Sequence, residues 1–135
     1  NQGGSESGPA TAELSFASKD QRTSFSTSQQ VWEQNGIKFI NDKASSTNNV
    51  ADYANPVRCY KGSNITVEKA GMTKVVFTCG SADYAKALNS SITGATPTLA
   101  GSAVTVEFSS AVSSFEVKNL SAQVRISSIS VTYNN

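Results

Sequence analysis

Aromatic, amide and guanidinium side chains are concentrated between positions 53 and 60. Tyr53 lies in a polar stretch where an aromatic residue has no obvious packing role, and Arg58 and Tyr60 share one face of a short extended segment. Asn55 lies between Tyr53 and Arg58 in the sequence. A flat ring can stack on the apolar face of a sugar, and Arg and Asn offer paired hydrogen-bond partners to hydroxyl groups. The alternative is that the Arg58 stem packs under the loop and its head binds loop carbonyls.

Trp32 is the only tryptophan and is the other aromatic residue considered for this patch. Its position between Val31 and Glu33 is more typical of a core residue than of a binding platform. We nevertheless include it in the hypothesis, which places one ligand-binding patch at Trp32, Tyr53, Asn55, Arg58 and Tyr60.

Three oxygen-bearing side chains in or beside the polar stretch 41–56 are candidates for a structural calcium site: Asn41, Asp42 and Asp52. Calcium prefers carboxylate and carbonyl oxygens supplied by loops. The chain has no DxDxDG spacing, so an ordinary solvated loop is the simpler interpretation. No cofactor is otherwise indicated.

Catalytic chemistry has little support in the composition. The absence of histidine excludes Ser-His-Asp and Cys-His catalysis and His-ligated metals, and no phosphate-binding glycine motif occurs. Two carboxylates would suffice for glycoside hydrolysis. Most of the 10 acidic residues, however, lie on polar strand faces or in turns, where solvated surface acids are expected. We therefore predict a protein that is not an enzyme.

The 135 residues are enough for one domain with a substantial core. The 11 basic and 10 acidic residues are scattered, so the basic stripe that nucleic-acid binding requires is missing. No apolar run is long enough for a membrane span. Residues 1–11 are rich in Gly and Ser and predict a flexible linker or processed leader, followed by a single domain over residues 12–135.

The centre of the chain carries the clearest strand pattern. Ile65 and Val67 alternate with polar residues, and Val75 and Phe77 do the same after Lys69-Ala70-Gly71. This pattern predicts an antiparallel hairpin with a short glycine-containing turn. Cys59 and Cys79 would then lie near each other, either as a disulfide or as two buried free thiols.

Short alternating segments occupy most of the remaining chain. Asn35-Gly36 is a strong hairpin signal, Ser81 to Asn89 is the one helical stretch, and the Ser127-Ser128 pair shifts the alternation by one residue, as a β-bulge does. Separate strands are also predicted at Ala103 to Phe108 and Ser114 to Lys118. Nine or ten short strands predict an all-β fold, an antiparallel β-sandwich for which we favour a jelly roll, with one short helix near 81–89.

Five phrases together suggest a family: LSF, QQVWEQNGI, YANPVRCYKGSNITVE, GMTKVVFTC and QVRISSISVTY. The combination resembles small β-sandwich modules that recur in large secreted and cell-surface proteins of gut bacteria, often beside carbohydrate-active or adhesive domains. The resemblance covers nearly all of residues 12–133 and implies an extracellular or cell-surface location. It brings no motif of functional residues with it.

Two functions are consistent with these observations. The first is a non-catalytic carbohydrate-binding accessory module, whose partners are a polysaccharide or glycan and the neighbouring domains of a parent protein. The second is a structural or adhesive module, such as a surface-protein repeat or a phage decoration domain, with no glycan ligand. Neither involves nucleic acid or membrane insertion.

Overall fold

The computed structural model describes residues 9–134, which form nine β-strands and one α-helix. Helix α1 spans Ala82–Ser91, and a single 3₁₀ turn spans Lys19–Gln21. The strands are β1 (Pro9–Ser15), β2 (Arg22–Phe25), β3 (Gln29–Gln34), β4 (Ile37–Asp42), β5 (Val57–Cys59), β6 (Asn64–Cys79), β7 (Pro97–Ala100), β8 (Ala103–Val117) and β9 (Val124–Asn134). The predicted all-β fold with one short helix is confirmed.

All nine strands belong to one antiparallel sheet that curls because its longest strands change partners along their length. β6 and β8 pair with each other from Ile65↔Val117 to Thr78↔Ala103. On its other side, β6 pairs first with β4 and then with β9. One half of the sheet has the order β2-β3-β4-β6-β8, and the other has the order β1-β9-β6-β8-β7, with β5 also on β9. A curled sheet of this kind fits a β-sandwich or a barrel-like fold, and the jelly roll remains a prediction.

The predicted hairpin at Lys69-Ala70-Gly71 is wrong. The two alternating segments are one 16-residue strand, and they pair with neighbours and not with each other. Gly71 has a φ of +75°, and the pairing of β6 with β8 shifts register between Glu68 and Met72. The glycine therefore bends a continuous strand from one half of the sheet into the other. Ser114 to Lys118, predicted as a separate strand, likewise belongs largely to β8.

The core lies inside the curl and is richest in aromatic rings where β1 faces the β3–β4 hairpin. The Phe16 ring is edge-on to Trp32 at 5.0 Å and to Phe39 at 5.1 Å between ring centroids. These three side chains are completely buried. β1 also bonds directly to the hairpin turn, since Ser15 N–H donates to Gln34 Oε1 at 2.8 Å. Burial of each large apolar side chain contributes about 1.5–3 kcal/mol.

Three local predictions from the sequence are confirmed. Asn35 and Gly36 connect β3 to β4 with φ angles of +54° and +79°. The Ser81 side chain caps α1 by accepting a hydrogen bond from the Tyr84 N–H. The pairing of β9 with β6 shifts register between Ile126 and Ser128, where the bulge is predicted.

Cys59 and Cys79 are free and buried, so the free-thiol alternative is confirmed. Cys59 pairs with Val124 and Cys79 with Ile126, and the two cysteines flank β9 from opposite sides. Burial raises the pKa of Cys79 to about 12, and it raises the pKa of Cys59 further. Both thiols therefore stay protonated at neutral pH and behave as small apolar residues.

A linker is predicted over residues 1–11, and the first eight of these residues lie outside the described part of the chain. Residues 9–11 belong instead to β1, where Pro9 pairs with Asn134 and Thr11 with Thr132. Over residues 9–134, no helix has the length and apolar character needed to cross a membrane.

Candidate functional site

Tyr53 and Arg58 meet on the surface as a stacked pair. The Arg58 Cζ atom lies 3.8 Å from the centroid of the Tyr53 ring, a cation–π contact. Tyr53 is 47% exposed, the largest value among the exposed large hydrophobic residues of the described chain. The structure thus brings together two members of the predicted patch and holds the Tyr53 ring in place while leaving much of it exposed to solvent.

Strand alternation in β5 sets the direction of Arg58. Val57 and Cys59 are buried in the core, so Arg58 between them must face outward. Tyr60 follows with the same parity and is partly buried, and Asn55 is exposed just before the strand. The predicted residues Tyr53, Asn55, Arg58 and Tyr60 are therefore all exposed or partly exposed.

Buried amide side chains hold this stretch against the sheet. Gln30 is completely buried, and its Nε2 donates to Ala51 O at 3.4 Å. Asn41 is 1% exposed, and its Nδ2 donates to Arg58 O at 3.1 Å. The Asn55 N–H donates to Phe16 O at 2.7 Å. These bonds satisfy loop carbonyls and amides that would be costly to bury without partners.

The inclusion of Trp32 in the binding patch is corrected by its position. Its side chain is 0% exposed and packs edge-on against Phe16, so it cannot contact a ligand at the surface. Its role is indirect. Trp32 Nε1–H donates to Gln30 Oε1 at 3.1 Å, and Gln30 in turn bonds Ala51, two residues before Tyr53. Trp32 therefore helps to orient the loop that carries Tyr53.

Two of the three proposed calcium ligands, Asp42 and Asp52, already have polar partners for their carboxylate oxygens. Asp42 accepts hydrogen bonds from Gln29 Nε2 and from the Ala44 N–H, and Asp52 binds two cations. The Asn41 Oδ1 atom is buried and accepts no hydrogen bond from the described residues. Calcium takes about six to eight oxygen ligands, and calcium binding at these three residues stays a prediction. Within residues 9–134, no group of three or more His, Cys, Asp or Glu side chains is placed to hold a metal ion.

Asp52 ties the loop to the segment around β2. Its Oδ1 lies 2.6 Å from Arg22 Nη1 and 3.0 Å from Lys19 Nζ. Hydrogen bonds from Lys19 and then from Arg22 lower the pKa of Asp52 below its usual value of 3.8. Because Tyr53 is the next residue, this ion-pair cluster anchors one end of the patch.

The lowered pKa predicts a pH-dependent loop. A carboxyl with a depressed folded-state pKa contributes stability that is present above about pH 3.8 and is lost as the pH falls through the lower folded-state value. We expect the protection of loop amides around Asp52, relative to their intrinsic exchange rate at the same pH, to fall below that pH, and Asp52→Asn to show the lower protection at neutral pH as well. Hydrogen exchange followed by mass spectrometry measures both. Asp83→Asn, an exposed acid in the first turn of α1, is the matched control; equal protection in Asp52→Asn and wild type would contradict the prediction.

A second arginine–tyrosine pair, not predicted from the sequence, lies beside the first. Arg125 on β9 is the direct cross-strand neighbour of Arg58 on β5. The Arg125 Cζ atom lies 5.2 Å from the centroid of the Tyr84 ring, and Arg125 Nε donates to Gln123 Oε1 at 2.8 Å. Tyr84 and Arg125 are far apart along the chain, so no local spacing in the sequence indicated this second pair.

Gly80 lies where the two arginine–tyrosine pairs approach each other. A Cβ built on Gly80 would lie 3.6 Å from Pro56 Cγ and 3.7 Å from both Arg125 Cβ and Tyr84 Cδ2. Pro56 belongs to the loop of the first pair, whereas Arg125 and Tyr84 form the second. We call the whole feature the arginine–tyrosine surface; it comprises Tyr53, Arg58, Tyr60, Tyr84 and Arg125.

Two depressions of the described chain are lined by other residues. One of about 420 Å³ lies along β8, and one of about 350 Å³ is lined by Ser45, Thr47, Asn48, Lys61, Gly62 and Asn119. None of the acidic side chains described between residues 9 and 134 is buried. A desolvated carboxylic acid of the kind that glycosidases use as a proton donor is therefore not found in this part of the chain.

No protein-family model matches this chain, and no curated protein matches it in sequence.

Proposed function

We propose that this domain is a non-catalytic carbohydrate-binding module of a secreted or cell-surface bacterial protein. The observation that carries the proposal is the Tyr53 ring, 47% exposed and held by Arg58 at 3.8 Å. An exposed aromatic ring that is held in place loses little conformational entropy on binding and can stack on the apolar face of a sugar. Asn55 and Tyr60 offer hydrogen-bond donors and acceptors to sugar hydroxyls nearby.

The exposure of the Tyr53 ring favours a polymer over a small molecule. Small ligands are generally enclosed in clefts that bury most of their area. None of the residues of the arginine–tyrosine surface lines either of the two depressions described above. A polysaccharide chain can lie across an exposed platform and contact several side chains along its length. The single small helix and the absence of a buried acid among the described residues agree with binding without turnover.

The proposal is tested by gel retardation of the purified domain in a panel of neutral and acidic polysaccharides, followed by calorimetry on any glycan that retards it. We expect at least one glycan to bind, and Tyr53→Ala to weaken that binding about tenfold or more, which corresponds to about 1.4 kcal/mol. Leu99→Ala is the matched control, because Leu99 is 37% exposed on the edge strand β7.

Retardation in none of the polysaccharides would reject the carbohydrate-binding proposal and favour the structural or adhesive module. Binding that Tyr53→Ala and Leu99→Ala weaken equally would show that the glycan contacts another surface. Circular dichroism melts of both variants separate a lost contact from a lost fold.

A further inference from the structure

Two positive charges lie directly opposite each other on the arginine–tyrosine surface. Arg58 and Arg125 are Cα partners in the antiparallel pairing of β5 with β9, and both side chains are partly exposed. Directly opposed residues have Cβ atoms about 4.5–5.5 Å apart, and like charges in that position destabilise a sheet. The arrangement therefore carries a free-energy cost that a bound anion would remove.

No acidic side chain in the described part of the chain neutralises this pair. The ion pairs within 4.0 Å over residues 9–134 involve Lys19, Arg22 and Lys118. Asp52, the acid adjacent to Tyr53 in sequence, is already bound to two of those cations. The polar partner of Arg125 is the neutral amide of Gln123.

Tyrosine rings position both guanidinium groups. Arg58 lies 3.8 Å from the Tyr53 centroid, and Arg125 lies 5.2 Å from that of Tyr84. A guanidinium that lies over a ring face keeps the N–H groups at its edge for other partners, and in Arg125 these are the Nη groups, because its Nε donates to Gln123. Those edge donors match the two oxygens of a carboxylate, or those of a sulfate, in a bidentate arrangement.

From this geometry we propose that the surface selects an acidic polysaccharide and holds a carboxylate or sulfate group of the sugar chain between Arg58 and Arg125. The inference rests on the proposed carbohydrate-binding function and specifies its ligand class. Tyr53 supplies ring contact to the sugar, whereas the two arginines supply the preference for charge.

The test compares each acidic polymer with its neutral counterpart. Polygalacturonate is paired with highly methyl-esterified pectin, and dextran sulfate is paired with dextran. Wild type is expected to bind at least one acidic polymer about tenfold or more tightly than its counterpart, and to lose affinity as NaCl rises from about 50 to about 300 mM. Binding to polygalacturonate alone identifies a carboxylate ligand, and binding to dextran sulfate alone identifies a sulfate ligand.

Arg125→Gln and Arg58→Gln keep a polar side chain while removing one charge each, and Lys118→Gln removes one charge from a residue whose side chain is 74% exposed. We expect each arginine variant to lose about tenfold in affinity for the acidic polymer and Lys118→Gln to lose little. Equal binding of acidic and neutral polymers, with Arg125→Gln unchanged, would overturn the charge preference and leave the carbohydrate-binding proposal standing. Equal losses in all three variants, or equally tight binding of duplex DNA, would show nonspecific attraction to polyanions and overturn the site.

Discussion

Replacing Trp32 with alanine is expected to lower the free energy of unfolding by about 3–5 kcal/mol, the range found for large aromatic residues removed from a core. The side chain is completely buried and packs edge-on against Phe16, so its removal leaves a cavity that rigid sheet neighbours cannot fill. It also leaves Gln30 Oε1 buried without its donor. Domains of this size have only about 5–15 kcal/mol of stability in total. Urea unfolding followed by circular dichroism measures the loss.

Two further variants separate the contributions within that loss. Trp32→Phe keeps an aromatic ring but removes the hydrogen bond to Gln30, and we expect it to cost about 1–3 kcal/mol, the penalty for an unsatisfied buried acceptor. Phe25→Ala, at a ring that is 38% exposed on β2, is the control and is expected to cost much less. If Trp32→Ala were no more costly than Phe25→Ala, the ring cluster would not be part of a rigid core.

Gly71→Ala is expected to destabilise the protein by about 2–5 kcal/mol. An L-residue at a φ of +75° is strained by about 1–2 kcal/mol, and an added Cβ would lie 2.8 Å from Asn134 O, a backbone atom on the neighbouring strand. Relief of such an overlap requires a backbone shift, which typically costs about 1–3 kcal/mol. Denaturant unfolding measures the change.

The matched control for this glycine is Gly101→Ala. Gly101 has a φ of +60°, but a Cβ there meets no atom within 4 Å, so only the conformational strain is added. We expect Gly101→Ala to cost about 1–2 kcal/mol. The difference between the two variants isolates the contact with Asn134. Equal losses of unfolding free energy in the two variants would mean that the contact between a Cβ at position 71 and Asn134 O does not destabilise the protein.

The stability predictions and the functional proposal are linked through Gln30. Trp32 bonds Gln30 within the core, and Gln30 bonds the loop carbonyl of Ala51. Tyr53 follows two residues later and stacks on Arg58. Trp32→Phe removes the hydrogen bond from Trp32 to Gln30, and Gln30 helps to hold the loop that carries the exposed Tyr53 ring. The glycan affinity of this core variant should therefore be measured as well as its stability.

Features that depend on near neighbours in the chain followed from the sequence. Strand alternation correctly placed Phe77 in the core and Arg58 on the surface, because successive side chains of a strand point to opposite faces. The Asn35-Gly36 turn was predictable because few other residues adopt two consecutive positive φ angles. Ser81 was recognised as a helix cap for a similarly local reason.

Features that depend on which segments pair were decided only by the tertiary structure. The segment around Gly71 has the composition of a hairpin turn, but the flanking halves of β6 pair with β4, β8 and β9 and continue as one bent strand. The ion pairs of Asp52 with Arg22 and Lys19 also depend on the fold, because the sequence does not show that these residues meet.

The sequence alone determined the alternation of buried and exposed faces, and with it an outward-facing Arg58. The pairing of β5 with β9 then placed Arg125 beside Arg58, although the two residues are far apart along the chain. Side-chain direction is a local property of the backbone, whereas strand partners are chosen by burial and hydrogen bonding summed over the whole sheet. For that reason the sequence indicated one arginine of the proposed binding surface, and only the fold supplied the second.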